Sequence, residues 1–207
     1  MYGVNQVEVN VKAGLTFGTA LRSILRQDPD IIMIGEIRDS ETAEIAVRSA
    51  ITGHLVLSTI HTNDASSSII RLNDMGIENF LISSSLIGVI SQRLVRKICP
   101  YCKEEYKADK SEIAALGLKE DKSYKLYRGK GCNYCSGKGY LGRTGIYEIL
   151  IINKELKNLI LTRTSSDNIK DMAVKNGMIT LKDSCRRKVL KGETTVKEFL
   201  RVTYSID

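Results

Sequence analysis

The stretch Asp28-Pro-Asp-Ile-Ile-Met-Ile-Gly-Glu36-Ile-Arg-Asp39, followed by Thr52-Gly-His-Leu-Val-Leu-Ser-Thr-Ile-His61-Thr-Asn63, decides the fold class. Ile31 to Ile34 is short, β-branched and bounded by turn residues, which reads as a fully buried strand. His54 to Ile60 reads as another strand. Between them, Ser40 to Ile51 reads as a helix with Ser40 as N-cap and Gly53 beyond its end. Upstream, Asn5 to Val11 alternates Val7, Val9 and Val11 against Glu8 and Asn10, the pattern of a half-exposed strand. Leu15 to Arg26 repeats inward positions Leu15, Gly18, Leu21 and Leu25, and it stops at Asp28-Pro29 because a residue before proline avoids the α region. Strand, helix, strand, helix, strand implies a parallel sheet with helices on its faces, an α/β fold.

Further along, helices are expected from about Asp64 to Met75, stopped by Gly76, and from Asn79 to Lys97. In the second of these Ile87, Ile90, Leu94 and Ile98 would form one apolar stripe, with Arg93, Arg96 and Lys97 at the end where cations favour the helix dipole. From Asn153 onward the pattern is helical, with helices near 153–163, 166–176, 180–191 and 195–203. This divides the chain into an α/β part over 1–98, a cysteine-bounded lobe over 99–145 and a helical part over 146–207.

At 207 residues, 43% apolar and 27% charged, the chain can bury one good core, or one core with a small satellite. The longest apolar stretch, Phe80 to Ile90, is broken by Ser83, Ser84 and Ser85 and is too short to span a bilayer, and the opening residues show no export signal. Of the net charge of +7, residues 1–98 carry 9 Lys/Arg against 10 Asp/Glu, so the surplus lies in the second half. Such a surplus suits nucleic acid, an anionic membrane face or an acidic partner. The late cluster Arg186, Arg187, Lys188 and Lys191 reads as the wet face of a helix.

Cys99-Pro-Tyr-Cys102 and Cys132-Asn-Tyr-Cys135 are paired knuckles of the kind that aim four thiolates at one zinc ion, which can clamp a lobe too small to bury its own core. A disulfide pair and an iron–sulfur cluster are the alternatives. Cys185 lies at helical spacing with Leu181 and Val189 and reads as a buried thiol.

Glu36 sits where the strand Ile31–Ile34 would emerge, the Walker B arrangement, and in an open α/β sheet the ligand lies outside the carboxyl ends of the strands. There a carboxylate can face a nucleotide's attacking water, although an ordinary surface carboxylate is the commoner fate of a glutamate after an apolar run. His54 and His61, the only two histidines, bound the next strand; the C-terminal end of that strand brings His61 to the same edge as Glu36, where it could serve as a phosphate sensor. His54 lies at the opposite end and is more easily structural. Arg143, in Gly139-Tyr-Leu-Gly-Arg-Thr-Gly145, offers a five-donor fork on a glycine-rich loop and reads equally as a solvated arginine. No G-x-x-x-x-G-K-[ST] phosphate cradle occurs in these residues.

Together, Leu15-Thr-Phe-Gly-x-Ala-Leu-Arg-x-Ile-Leu-Arg-Gln-Asp-Pro-Asp30, Gly35-Glu-Ile-Arg-Asp39, the Thr52–Asn63 segment, Asp74-Met-Gly-Ile77, Gln92-Arg-Leu-Val-Arg96, the two C-x-x-C pairs and Gly142-Arg-Thr-Gly-Ile-Tyr-Glu148 resemble the hexameric ATPases of type II secretion and type IV pilus assembly. Pilus retraction ATPases are similar at the Walker B and histidine boxes but lack the tetracysteine lobe, so the resemblance is to an assembly or secretion motor. It implies a RecA-like P-loop core using ATP and magnesium in a ring, peripheral to the cytoplasmic face of the inner membrane and coupled to a platform protein there. It also implies Glu36 as the Walker B catalytic glutamate, His54 and His61 as the histidine box, Arg143 as a loop arginine near nucleotide, and Cys99, Cys102, Cys132 and Cys135 as zinc ligands. Gly35 stands where the Walker B aspartate is usual, so magnesium must be held differently. On this resemblance the chain is expected to be a C-terminal fragment, inactive alone, that begins downstream of the Walker A loop. The rival expectation is a non-enzymatic zinc-ribbon module binding nucleic acid or an acidic protein; the tyrosines flanking the knuckles make nucleic acid the weaker partner.

Overall fold

A computed structural model describes residues 3 to 204. In chain order they form α1 (Phe17–Leu25), β1 (Ile31–Ile34), α2 (Ser40–Ile51), β2 (Leu55–Ser58), α3 (Ser67–Asp74), α4 (Asn79–Ser85), β3 (Gly88–Ile98), β4 (Lys103–Lys107), α5 (Lys110–Ala115), β5 (Lys125–Gly129), β6 (Tyr140–Ile151), α6 (Lys154–Leu161), α7 (Ser166–Lys175), α8 (Leu181–Leu190) and α9 (Val196–Thr203). The chain folds into two compact units. One holds the residues up to Thr62 with Ser66–Val89 and Ile151–Met172, and the other holds Asn63–Ala65, Ile90–Leu150 and Ala173 onward.

In the first unit β1 and β2 pair in parallel, Ile31 opposite Leu55 and Ile34 opposite Ser58. α2 packs against β2, α1 and α4, and α4 against α6. The helices start where a side chain can cap them: Thr16 accepts from the Thr19 amide and Asp39 from the Thr42 amide at 2.8 Å. Asp39, rather than the expected Ser40, is therefore the N-cap of α2. β1 is not fully buried. Ile32 and Ile34 face the helices, while Ile31 and Met33 stand 61% and 75% exposed, because the helices of this unit cover only one face of the pair. The expected strand from Asn5 to Val11 does not form among the described residues; Asn10 makes an isolated bridge to Leu15 and a 3-10 turn follows at Val11–Ala13. Its valine alternation has no neighbouring strand here to take up the backbone hydrogen bonds that a strand requires.

The expected helix from Asn79 to Lys97 is the larger correction. It ends at Ser85, and Gly88–Ile98 is a long strand beside β6. The stripe residues Ile87, Ile90 and Leu94 are exposed, and the deeply buried residues are Val95 and Ile98. Every-third-or-fourth apolar spacing over a β-branched run fits either period, and the partner strand decided it. Arg93, Arg96 and Lys97 accordingly cap no helix. The helices after Asn153 form as expected, capped by Asn153, Thr180 and Thr195.

In the second unit the cysteine lobe does have a core, shared with the C-terminal helices. Ala108, Ile113, Leu116 and Leu126 pack with Leu181, Cys185, Val189 and Phe199. Glu198, with no side-chain exposure, fixes this arrangement: it accepts from the Arg96 amide at 2.8 Å, from the Arg96 guanidinium at 2.7 and 3.0 Å, and from Arg201 at 2.8 Å. Burial pushes this carboxyl up, and the Arg96 hydrogen bonds with the Arg201 charge outweigh it, so Glu198 titrates below its ordinary 4.5. The unfolded chain then binds the proton at higher pH than the folded one, so the stabilisation is complete above the ordinary value and is lost as pH falls through the lowered one. Glu198→Gln should be less stable at neutral pH and show a flatter loss of stability on acidification. Glu198→Ala should cost about 3 kcal/mol, the low end for a broken buried pair because Arg96 keeps access to water. Urea midpoints across the acid range check both.

Candidate nucleotide and metal centres

The loops that leave β1 and β2 are tied together. The Ile37 amide donates to the Thr59 carbonyl at 2.9 Å, and the Thr59 hydroxyl to the Gly35 carbonyl at 2.7 Å. Those bonds carry Glu36 and His61 to the same edge. His61 Nε2 lies 2.8 Å from Glu36 Oε1, and Arg38 Nε donates to Glu36 Oε2. The carboxylate is 17% exposed, while His61 and Arg38 stand open to solvent at 90% and 78%. The two Glu36 oxygens are thus each engaged at a strand's carboxyl end, by His61 on one side and Arg38 on the other, both of which are open to solvent. A Cβ at Gly35 would meet open space, so sterics do not demand glycine where the Walker B aspartate is usual.

His54 is not brought to that edge. It lies just before β2 and its Nδ1 sits 3.0 Å from the Ser49 carbonyl and 3.3 Å from the Thr52 hydroxyl, which satisfies the end of α2. Arg143 lies on β6 in the second unit, exposed and without a partner among the described residues. Of the expected nucleotide-site groups the structure joins Glu36 with His61 only. Arg38 was missed by sequence reasoning, though Glu-x-Arg on an extended exit segment places both side chains on one side. Glu148 was also missed. It is 1% exposed, and its two oxygens accept from the Ala65 amide at 2.9 Å and the Leu181 amide at 3.1 Å. Its signal was a carboxylate at an inward register between Ile146 and Leu150.

The four paired cysteines form a second centre. Their sulfurs all lie within 4.8 Å of one another, with Cys99–Cys132 and Cys102–Cys135 at 3.8 Å and Cys132–Cys135 at 3.7 Å. A tetrahedron of bonds about 2.3 Å long has edges of about 3.8 Å, so the spacing fits one thiolate-bound ion. It is far beyond a disulfide bond of about 2.05 Å, and too tight to hold several irons with bridging sulfides. The knuckles are pre-set by backbone amides: Gly131 donates to Cys102 Sγ at 3.3 Å, and Cys132 and Gly139 donate to Cys135 Sγ at 3.2 Å. Burial raises Cys135, but those two amides win and bring it down to about 6, whereas burial dominates at Cys102 and pushes it up to about 12. The limbs close because Gly129 lets its backbone meet Gly139, whose carbonyl oxygen would lie 2.0 Å from any Cβ there. Cys185 is buried in the hydrophobic core, apart from this cluster, and burial pushes it to about 12. The expected wet face of α8 is only partly so: Arg187 and Lys191 are exposed, while Arg186 and Lys188 are half-buried, Arg186 pairing with Asp183 and donating to the Leu116 carbonyl at 3.2 Å and Lys188 pairing with Glu193.

The family model described as type II/IV secretion system protein matches residues 1–201. Type II secretion system protein E of Pseudomonas aeruginosa is 53% identical over 201 residues, covering 97% of this chain and 40% of its own length. The type IV pilus assembly ATPase PilB of Thermus thermophilus is 52% identical over 203 residues, 97% of this chain and 23% of its own. The chain therefore spans well under half the length of these relatives. Among solved structures, the pilus retraction motor PilT with bound ADP superposes with a TM-score of 0.63 at 30% identity, over 90% of this chain and 43% of PilT. The Legionella pneumophila ATPase DotB superposes at 0.64 over 95% of this chain and 44% of its own, with 19% identity, a likeness of fold alone. No helix among the described residues is long and apolar enough to cross a membrane.

Proposed function

Because the chain belongs to the type II/IV secretion system protein family, we propose that it supplies the water-activating half of an ATP-hydrolysing site in a motor that drives type II secretion or type IV pilus assembly. The observation that carries this reading is the Glu36 carboxylate at the exit of β1 with His61 Nε2 2.8 Å away. Glu36 is the group that orients and polarises the attacking water, and His61 holds it in register until a γ-phosphate arrives. Arg38 shares the resting carboxylate and must release one oxygen for the water. Arg143 is assigned to nucleotide contact from β6, and His54 to fixing the start of β2. Gly35 offers no carboxylate, so magnesium arriving with the nucleotide would take no ligand from this position.

Cys99, Cys102, Cys132 and Cys135 hold zinc in a structural site, since all four tetrahedral positions are filled by thiolates and none is left for a substrate. In the working motor we place residues 1–98 in the ATPase core, 99–145 in the zinc lobe and 146–207 in a helical subdomain. The motor is a hexameric ring at the cytoplasmic face of the inner membrane, acting on a platform protein. These 207 residues contain no G-x-x-x-x-G-K-[ST] segment. The polypeptide alone should therefore bind ATP weakly, and joining it to an upstream segment that carries the cradle should bring ATP into the micromolar range. Fluorescent-nucleotide titration of the two proteins tests this; equal affinity would mean that the nucleotide is held elsewhere.

A further inference from the structure

The two C-x-x-C knuckles each carry a tyrosine in the third position, Tyr101 and Tyr134. Their rings stack on one another, centroids 4.1 Å apart and planes 23° from parallel, yet they stand 64% and 69% exposed. A stack so exposed contributes little to the core of the lobe, and neither hydroxyl has a partner among the described residues. The segments bearing it are one-signed. Lys97 to Lys103 and Gly129 to Tyr147 contain Lys97, Lys103, Lys130, Lys138 and Arg143 and no Asp or Glu. Lys130 and Lys138 are exposed, and their amides are tied to the carbonyls of Cys102 and Cys135, so the same knuckles that present the rings also present these ammonium groups.

We propose that the Tyr101–Tyr134 stack is a docking point for an acidic segment of a partner protein. Tyrosine gives a large contact with only two rotatable side-chain bonds, and here its ordering cost is already met by the mutual stack and by knuckles fixed through backbone amides. Its hydroxyls and the exposed Lys130 and Lys138 are donors without acceptors on their own loops, so the complement they select is a run of carboxylates with an apolar side chain to lie on the open ring face. Nucleic acid, the other anionic polymer these groups could face, is an outcome the oligonucleotide probe below reads. This inference stands apart from the ATPase reading, since it uses only the lobe.

The test uses the whole 207-residue chain loaded with zinc and a fluorescein-labelled peptide of Asp and Glu with a central Leu-Phe pair, followed by anisotropy at low salt. The same peptide with Lys for Glu and a single-stranded oligonucleotide of equal charge serve as the other probes. The acidic peptide should bind, and the paired substitutions Tyr101→Ser with Tyr134→Ser, and separately Lys130→Glu with Lys138→Glu, should each weaken it by roughly tenfold or more while zinc content stays that of the parent. No binding of the acidic peptide, unchanged binding by the tyrosine variant, or tighter binding of the oligonucleotide would each overturn the proposal. If the tyrosine variant loses zinc, the lysine variant decides, and its unchanged binding counts against the proposal in the same way.

Discussion

Chelation at Cys99, Cys102, Cys132 and Cys135 is expected to release one zinc ion per chain and to unfold the two knuckles, with the largest free-energy effect of any single perturbation of this protein. Structural zinc in small thiolate sites contributes on the order of 10 kcal/mol or more at neutral pH, because the site does not pre-exist in the unfolded chain. Here three of the six sulfur–sulfur edges, at 3.7 to 3.8 Å, match a filled tetrahedron and all lie within 4.8 Å, and without an ion nothing offsets gathering four thiols, one of them already favouring its thiolate. The loss should stay local. The core that joins Ile113, Leu116 and Leu126 to Phe199 and Val189 does not pass through the knuckles, so α8 and α9 should keep their hydrogen-exchange protection while residues near 99–102 and 130–139 lose it. Elemental analysis and hydrogen exchange read both effects. Protein purified without chelator that holds no metal, or full zinc occupancy in a Cys99→Ser, Cys132→Ser variant, would contradict the assignment.

Glu36→Gln, made in a protein in which the chain is joined to an upstream phosphate-binding segment, is expected to lower ATP turnover by about 10²- to 10⁴-fold, the contribution of a positioned general base. ATP affinity should hardly change. The substitution preserves shape and one acceptor and removes only the charge that polarises water, while the phosphates are held by groups elsewhere. His61→Gln should cost less, since it removes one of two groups that aim the carboxylate, and Arg38 remains. The ordering, Glu36 over His61 in turnover with neither much altered in nucleotide affinity, distinguishes a hydrolytic site from a binding one.

The edge that joins Glu36 to His61 was legible because its information is local. Ile31–Ile34 and Leu55–Ser58 declare themselves by β-branching and turn residues, and parallel pairing then brings Glu36 and His61 to one edge. The four-cysteine cluster was legible for the same reason: each pair is a self-contained knuckle. What failed was long-range. Ile87, Ile90, Leu94 and Ile98 fit helical spacing as well as they fit anything, and only the presence of β6, some fifty residues away, makes Gly88–Ile98 a strand. The valines at 7, 9 and 11 alternate correctly, but a strand needs a neighbour. Arg96 looks like a helix-dipole cation in the sequence; it is instead the partly exposed partner of the fully buried Glu198, which lies on α9. Glu148 escaped notice because its partners are backbone amides, which leave no mark in a sequence.

Glu36 is proposed as the water-activating carboxylate of an ATPase whose phosphate cradle is not among these residues. The most direct measurement is steady-state phosphate release from the purified 207-residue polypeptide with ATP and magnesium, run beside its Glu36→Gln form as the control for contaminating ATPases. The two should release phosphate at the same background rate. Turnover by the parent that disappears in the Glu36→Gln form would show that a phosphate cradle lies within this chain and that half a site is the wrong description.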